Sequence, residues 1–228
     1  MFLTGAGIFV YQKGGWTYLS SRLGLSARPP VVFPGSEHHS GLKDTYAIMP
    51  ERDSAIIFAG DSLTELCPWH ELFSNADILG RGISGDTVPG LQSRIDELLR
   101  HRPRKLFLMI GINDLLYGKA PEDVLREYRF LIEHIKTLQP DTQLYVQSIL
   151  PIDGARWGLP APPNVDADIV RVNETLAKWA GDRFVYVDLY SLMVSDGNRL
   201  DARYSSDGIH LSAAGYSKWR EALGGSVP

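Results

Sequence analysis

Five short apolar runs, most of them followed by a stretch of helical periodicity, constrain this chain more than any other feature. Ala55-Ile56-Ile57-Phe58-Ala59 is apolar at every position and ends at Gly60, the pattern of a strand buried on both faces of a parallel sheet. Similar runs recur at Asp77-Ile78-Leu79, Leu106 to Ile110, Leu144 to Ile149 and Phe184 to Val187. Between them, Pro121 to Leu138 places Val124, Leu125, Tyr128, Leu131, Ile132, Ile135 and Leu138 on one helical face. Pro121 suits a first helical position, and Glu122 and Asp123 complement the positive helix end. Val88 to His101 reads as one helix with Val88, Leu91, Ile95, Leu98 and Leu99 inward and Thr87 as its cap. Asp166 to Ala180 repeats the scheme and stops at Gly181, and Ser212 to Leu223 is the last. Strands alternating with helices of this length specify βαβ units, hence a parallel sheet with helices on both faces. Five strands suit a flavodoxin-like α/β arrangement, in which ligands bind beyond the carboxyl ends of the strands.

This regular pattern fills residues 54–228, read as one domain, whereas residues 1–53 read as an irregular arm. Gly24 to Pro50 holds Pro29-Pro30, Pro34-Gly35 and His38-His39 with little periodicity. Met1 to Tyr11 is apolar but too short to cross a bilayer alone, since a spanning helix needs about 20 residues. With no basic segment before it, a secretory signal is not expected. A terminal helix on the domain, an interfacial anchor and the end of a longer anchor all stay open, so the expected location is cytoplasmic or peripheral to a membrane. A chain of 228 residues buries enough surface to fold without disulfide or metal staples. Its 23 basic and 27 acidic residues give a net charge of −4 with no basic stripe, which argues against a nucleic-acid partner. The single cysteine, Cys67, excludes an internal disulfide and reads as a small core or rim residue. His38-His39 lacks a third ligand and is not read as a metal site, and His70, His101 and His134 fall on helices as solvated or half-buried residues.

The strand-end rule directs attention to four loops. Gly60-Asp61-Ser62-Leu63-Thr64-Glu65 follows the first strand, and Ser62 there is either a helix N-cap or a nucleophile whose oxyanion meets N–H groups at the helix start. Thr64 stands where the second glycine of a G-x-S-x-G elbow would be, so that turn is absent. Arg81-Gly82-Ile83-Ser84-Gly85-Asp86-Thr87 follows the second strand as a plain turn or a close backbone approach to a ligand. Its spacing fails the dinucleotide fingerprint. Gly111-Ile112-Asn113-Asp114 follows the third, where Asn113 is a turn residue or a neutral donor to an oxyanion. Ser206-Asp207-Gly208-Ile209-His210-Leu211 lets Asp207 reach one ring nitrogen of His210 while the other faces a serine, with Asp201 and Asp188 as fallback partners.

With these four blocks in order, the chain resembles GDSL-type serine hydrolases of the SGNH superfamily. Within it, Phe58-Ala59-Gly60-Asp61-Ser62, Trp69 with Leu72-Phe73, Gly82 to Thr87 and Asp207 to Leu211 resemble the catalytic subunits of platelet-activating-factor acetylhydrolases. The resemblance covers about Ala55 to Leu223. It implies a three-layer α/β/α sandwich and an esterase working through an acyl-enzyme, with no metal and no cofactor. Residue by residue, it implies Ser62 as nucleophile, His210 as base and Asp207 as its partner. Ser62 N–H, Gly85 N–H and the Asn113 side chain would form the oxyanion hole, with Asp61 and Trp157 as further substrate-contacting candidates. The expected partner is a small-molecule ester, either a short-chain, acetyl or lysophospholipid ester; weak membrane association through residues 1–11 and a homodimer are left open. A carbohydrate O-deacetylase or a non-catalytic binding protein on the same fold are the alternatives. Pro151 to Val165 departs from those relatives in length and in Pro and Gly content, and is expected to wall or lid the pocket.

Overall fold

The computed structural model describes residues 36–158 and 161–227. Its centre is a five-stranded, all-parallel sheet of β1 (Ile56–Gly60), β2 (Ile78–Gly82), β3 (Lys105–Met109), β4 (Gln143–Gln147) and β5 (Val185–Val187). The spatial order is β2-β1-β3-β4-β5, the flavodoxin-like order expected from the five apolar runs. Register runs Ile56 to Ile78 on one side of β1 and Ile56 to Lys105 on the other, so β1 lies at the middle of the reversal. Loops leaving β1 and β3 in opposite directions open a crevice at that point.

Alternation along β1 splits the core in two. Ile57 and Ala59 face a cluster with Leu106, Leu108 and Val146, covered by α4 (Val88–Gln92), α5 (Ile95–Leu99), α6 (Ile112–Leu116), α7 (Pro121–Leu138) and α9 (Val165–Trp179). Ile56 and Phe58 face the other cluster, with Phe107, Trp69 and Trp219, covered by α2 (Ser62–Glu65), α3 (Trp69–Leu72), α10 (Tyr190–Met193) and α11 (Ala213–Leu223). Two faces buried by helices make the three-layer sandwich. On the second face the rings of Trp69, Phe58, Phe107 and Tyr145 stack in succession at 4.1, 4.7 and 4.4 Å. Such pairs are each worth about 0.5–1.5 kcal/mol beyond the area they bury. The indole N–H groups still find acceptors, Trp69 on Thr64 O at 2.8 Å and Trp219 on Gln147 Oε1 at 2.7 Å.

Four expectations are corrected. The arm is not irregular throughout: α1 (Glu37–Ile48) is a helix, started by Ser36, whose hydroxyl accepts from His39 N–H at 3.1 Å. Its inward contacts are polar, so no apolar stripe announced it. The helix over Val88 to His101 breaks at Ser93-Arg94, where Arg94 takes φ −126° and turns its guanidinium beneath the sheet end. His101 is fully buried, its Nδ1 accepting from Arg52 N–H at 2.9 Å. Leu138, assigned inward, is half-exposed at the end of α7. The expectations on residues 1–11 lie outside the described residues, among which no helix is long and apolar enough to cross a membrane.

Candidate active site

Asp61 follows β1 and is the N-cap of α2. Its carbonyl accepts from Thr64 and Glu65 N–H, and its carboxyl accepts from Leu63 N–H at 3.0 Å. This capping leaves Ser62 as the first helical residue, half-buried at the strand end. Among the described residues its N–H has no acceptor, as helix starts leave such groups open. Asp61 itself is 1% exposed, and its carboxyl, turned back onto the Leu63 N–H, supports the turn that presents Ser62. Burial, with Asp86 and Asp114 nearby and against the Leu63 N–H, pushes its carboxyl up to about 7.

His210 reaches Ser62 from the loop before α11, 148 residues further along the chain. His210 Nε2 lies 3.1 Å from Ser62 Oγ, and His210 Nδ1 lies 2.7 Å from Asp207 Oδ2. Asp207 Oδ1 accepts from the N–H groups of His210 at 2.8 Å and Ile209 at 3.0 Å. Burial opposes ionisation of Asp207, but these N–H groups and the imidazole outweigh it and hold the carboxyl below its ordinary range. Gly208 makes the loop possible. It sits at φ +93°, and a Cβ there would lie 2.4 Å from the carbonyl oxygen of Asp153. The fallback partners are elsewhere engaged: Asp201 holds Arg203, and Asp188 caps Ser191.

The loops after β2 and β3 meet one another beside this group. Asn113, half-buried in the first turn of α6, donates from Nδ2 to Asp86 O at 2.8 Å, which fixes the amide and leaves its second N–H free to turn inward. Gly85, at φ +76°, carries its carbonyl on the Tyr117 hydroxyl at 3.4 Å, and among the described residues its N–H has no acceptor. Asp114 is fully buried, accepts from Val88 N–H at 2.9 Å and Lys119 Nζ at 2.8 Å, and so ties the β3 loop to α4. Burial raises its carboxyl against those two donors.

Within Pro151 to Val165, the described residues at the start are tied down. α8 (Gly154–Trp157) starts at Asp153, whose N–H donates to Gly208 O at 2.7 Å, and Arg156 donates to Ser206 O at 3.2 Å. The described part of the segment therefore backs the Asp207–His210 loop. Trp157, half-buried, packs on the cluster that includes Ile209. Cys67 is buried, with burial pushing its thiol up to about 12, far from a reactive thiolate.

Sequence reasoning missed a charged layer directly under these loops. Asp86, fully buried, accepts from Arg94 Nε at 2.9 Å, from Thr87 N–H at 2.9 Å and from His39 Nε2 at 3.2 Å. Arg94 also donates to Gly60 O at 3.2 Å. One signal was present: Arg94 stands three residues after Leu91 and four before Leu98, a charge on an otherwise apolar face, which marks a buried pair.

Comparison with known proteins bears on this arrangement. The model of the GDSL-like Lipase/Acylhydrolase family matches residues 58–218. The platelet-activating factor acetylhydrolase IB subunit alpha1 of Bos taurus is 30% identical over 196 residues, covering 82% of this chain and 79% of that protein. The corresponding subunit alpha2 of Rattus norvegicus is 28% identical over 178 residues, covering 74% of this chain and 73% of that protein. The solved structure of a GDSL-like lipase from Bacteroides thetaiotaomicron shares the fold with a TM-score of 0.68 at 21% identity, covering 82% of this chain and 96% of that one. The chain belongs to the GDSL-like lipase/acylhydrolase family, a group of carboxylic ester hydrolases.

Proposed function

We propose that Ser62, His210 and Asp207 act as nucleophile, base and orienting carboxylate in hydrolysis of a short-chain acyl ester. One observation carries this reading: an imidazole held between Asp207 at 2.7 Å and Ser62 Oγ at 3.1 Å, from segments 148 residues apart. Structural packing alone gives no reason for that alignment, because Ser62 needs no imidazole to start its helix; Asp61 already caps it.

In this mechanism His210 Nε2 takes the Ser62 proton as Oγ attacks the ester carbonyl. The oxyanion rests on the N–H groups of Ser62 and Gly85 and on the Asn113 amide, of which a single donor is commonly worth about 10²–10³ in rate. Collapse of the tetrahedral adduct breaks the bond to the alcohol oxygen, which leaves with the proton from His210. Water then attacks the acyl-enzyme and gives its proton to His210, which returns it to Ser62 Oγ as the bond to the acyl carbon breaks and the acid is released. Throughout, Asp207 keeps the Nδ1 proton in place, so Nε2 is the nitrogen that works.

The preference for short acyl chains is supported by the name of the alpha1 relatives, which are acetylhydrolases. Hydrolysis of a panel of aryl, lysophospholipid and acetylated-sugar esters tests it. Short acyl esters should be turned over, Ser62→Ala should abolish turnover with folding intact, and a serine-directed phosphonate should label Ser62. Ser62→Ala turning over the same ester at an unchanged rate would refute the assignment. Confinement to acetylated sugars would make the protein a carbohydrate deacetylase, and silence on the whole panel without labelling would favour a binding protein.

A further inference from the structure

The helix before the first strand reaches the site's loops at three points. Its Tyr46 hydroxyl donates to Gly82 O at 3.1 Å, where the β2 loop begins. Its His38 Nε2 lies 2.9 Å from Glu65 of α2, and the Glu65 carboxylate also accepts the N–H of Ser84. Its His39, 4% exposed, donates to Asp86 Oδ1, where the loop ends. Gly85, with its left-handed φ of +76°, lies between those anchors.

We infer that α1 is a clamp on residues 82–87 and that His39 is a positioning residue for the Gly85 and Asn113 donors, acting through Asp86. This rests on the reading of those two groups as oxyanion donors. The route is short. The same Asp86 oxygen that meets His39 accepts the Thr87 N–H at 2.9 Å, while the carbonyl of the same peptide unit, Asp86 O, holds Asn113 Nδ2 at 2.8 Å. Rotation of that carboxylate therefore rotates the peptide that aims the Asn113 amide. Arg94 fixes the other oxygen and, through Gly60 O, ties it to the strand that delivers Ser62. Without His39 one side of the carboxylate loses its support, and the loop gains freedom where the reaction needs none. A group that touches no substrate would then act on turnover rather than on binding, because misplaced donors weaken the transition state more than the ground state.

Steady-state kinetics on the best ester of the panel, with phosphonate labelling, thermal unfolding and amide NMR, test the clamp in the full chain. His39→Ala should lower kcat by about 10–100-fold with KM within about threefold and should move the Gly85 and Asn113 amide signals. His39→Gln, which keeps an N–H donor at similar reach, should recover most of the loss. Tyr46→Phe, which removes only a hydroxyl, should lower kcat several-fold, and Asp44→Ala on the exposed face of α1 should change nothing. If His39→Ala does not fold, His39→Gln and Tyr46→Phe decide: wild-type kcat for the first with reduced kcat for the second supports the clamp. Unchanged kcat in His39→Ala and Tyr46→Phe overturns it, as does equal loss in His39→Ala and His39→Gln that follows their fall in stability. A wild-type protein that neither hydrolyses nor labels would instead remove the reading of Ser62. The Gly85 and Asn113 signals then judge the clamp alone, and unmoved signals overturn it.

Discussion

Asp61→Asn should make the protein more stable, and by an amount that grows with pH. The carboxyl is buried under Ser62 and lies at about 7, against an ordinary 3.8. A carboxyl whose folded value is the higher one favours the fold only while it keeps its proton. That contribution is complete below 3.8, is lost as pH rises through the interval to about 7, and stays lost above it. The span is worth about 1.4 kcal/mol per pH unit, so about 1 kcal/mol of this contribution is already lost at pH 4.5, where the unfolded chain ionises first, and about 4 kcal/mol at pH 8.5. Asparagine keeps an oxygen to accept from Leu63 N–H and caps helices as well as aspartate does. The variant therefore escapes the pH-dependent loss while the turn survives. Urea unfolding of both proteins at several pH values should show the stability difference widening by about 3 kcal/mol from pH 4.5 to pH 8.5. For a chain of this size that is about 6–12 °C in Tm. A difference constant to within about 0.5 kcal/mol would show Asp61 ionised in the fold across this range and refute the argument.

Asp207→Asn should lower kcat by about 10⁴ with little change in Tm, because an amide N–H facing Nδ1 puts the imidazole proton on the nitrogen that must accept one. A loss under tenfold in the ester assay would contradict the geometry. Gly208→Ala forces a Cβ against Asp153 O at 2.4 Å on a backbone at φ +93°, so it should cost about 1–3 kcal/mol in denaturant titrations and lower kcat as well. Wild-type values for both would mean the loop is not held where it is described.

The sheet was legible because burial on both faces leaves each strand apolar along its length; the observed strands start within one residue of the runs at Ala55, Asp77, Leu106, Leu144 and Phe184. Ser62, Asp207 and His210 could be singled out because a parallel sheet exposes its loops at the strand ends, and the structure brings the three together. What escaped was polar and non-local. Helix α1 docks through His39 and Tyr46 rather than an apolar stripe, so periodicity could not find it. The break at Ser93-Arg94 follows from a guanidinium drawn to a carboxylate eight residues earlier, a tertiary demand that overrides helical preference. Proline and glycine mark Pro151 to Val165 as a loop that could wall or lid the pocket, yet composition does not show that Asp153 is bonded to Gly208. The burial of Asp61 was hidden for a related reason: the sequence places it beside Ser62 but does not show its carboxyl turning back into its own helix.

The hydrogen bond between Asp153 and Gly208 joins two things that evolution often varies separately. Hydrolases commonly acquire new substrates by exchanging surface loops while their reactive groups stay put. Here the exchangeable loop stands behind the imidazole. A graft replacing residues 153–157 that lost this N–H would free the loop carrying His210, so a new loop here has to preserve that one backbone contact or be rebuilt together with residues 205–211.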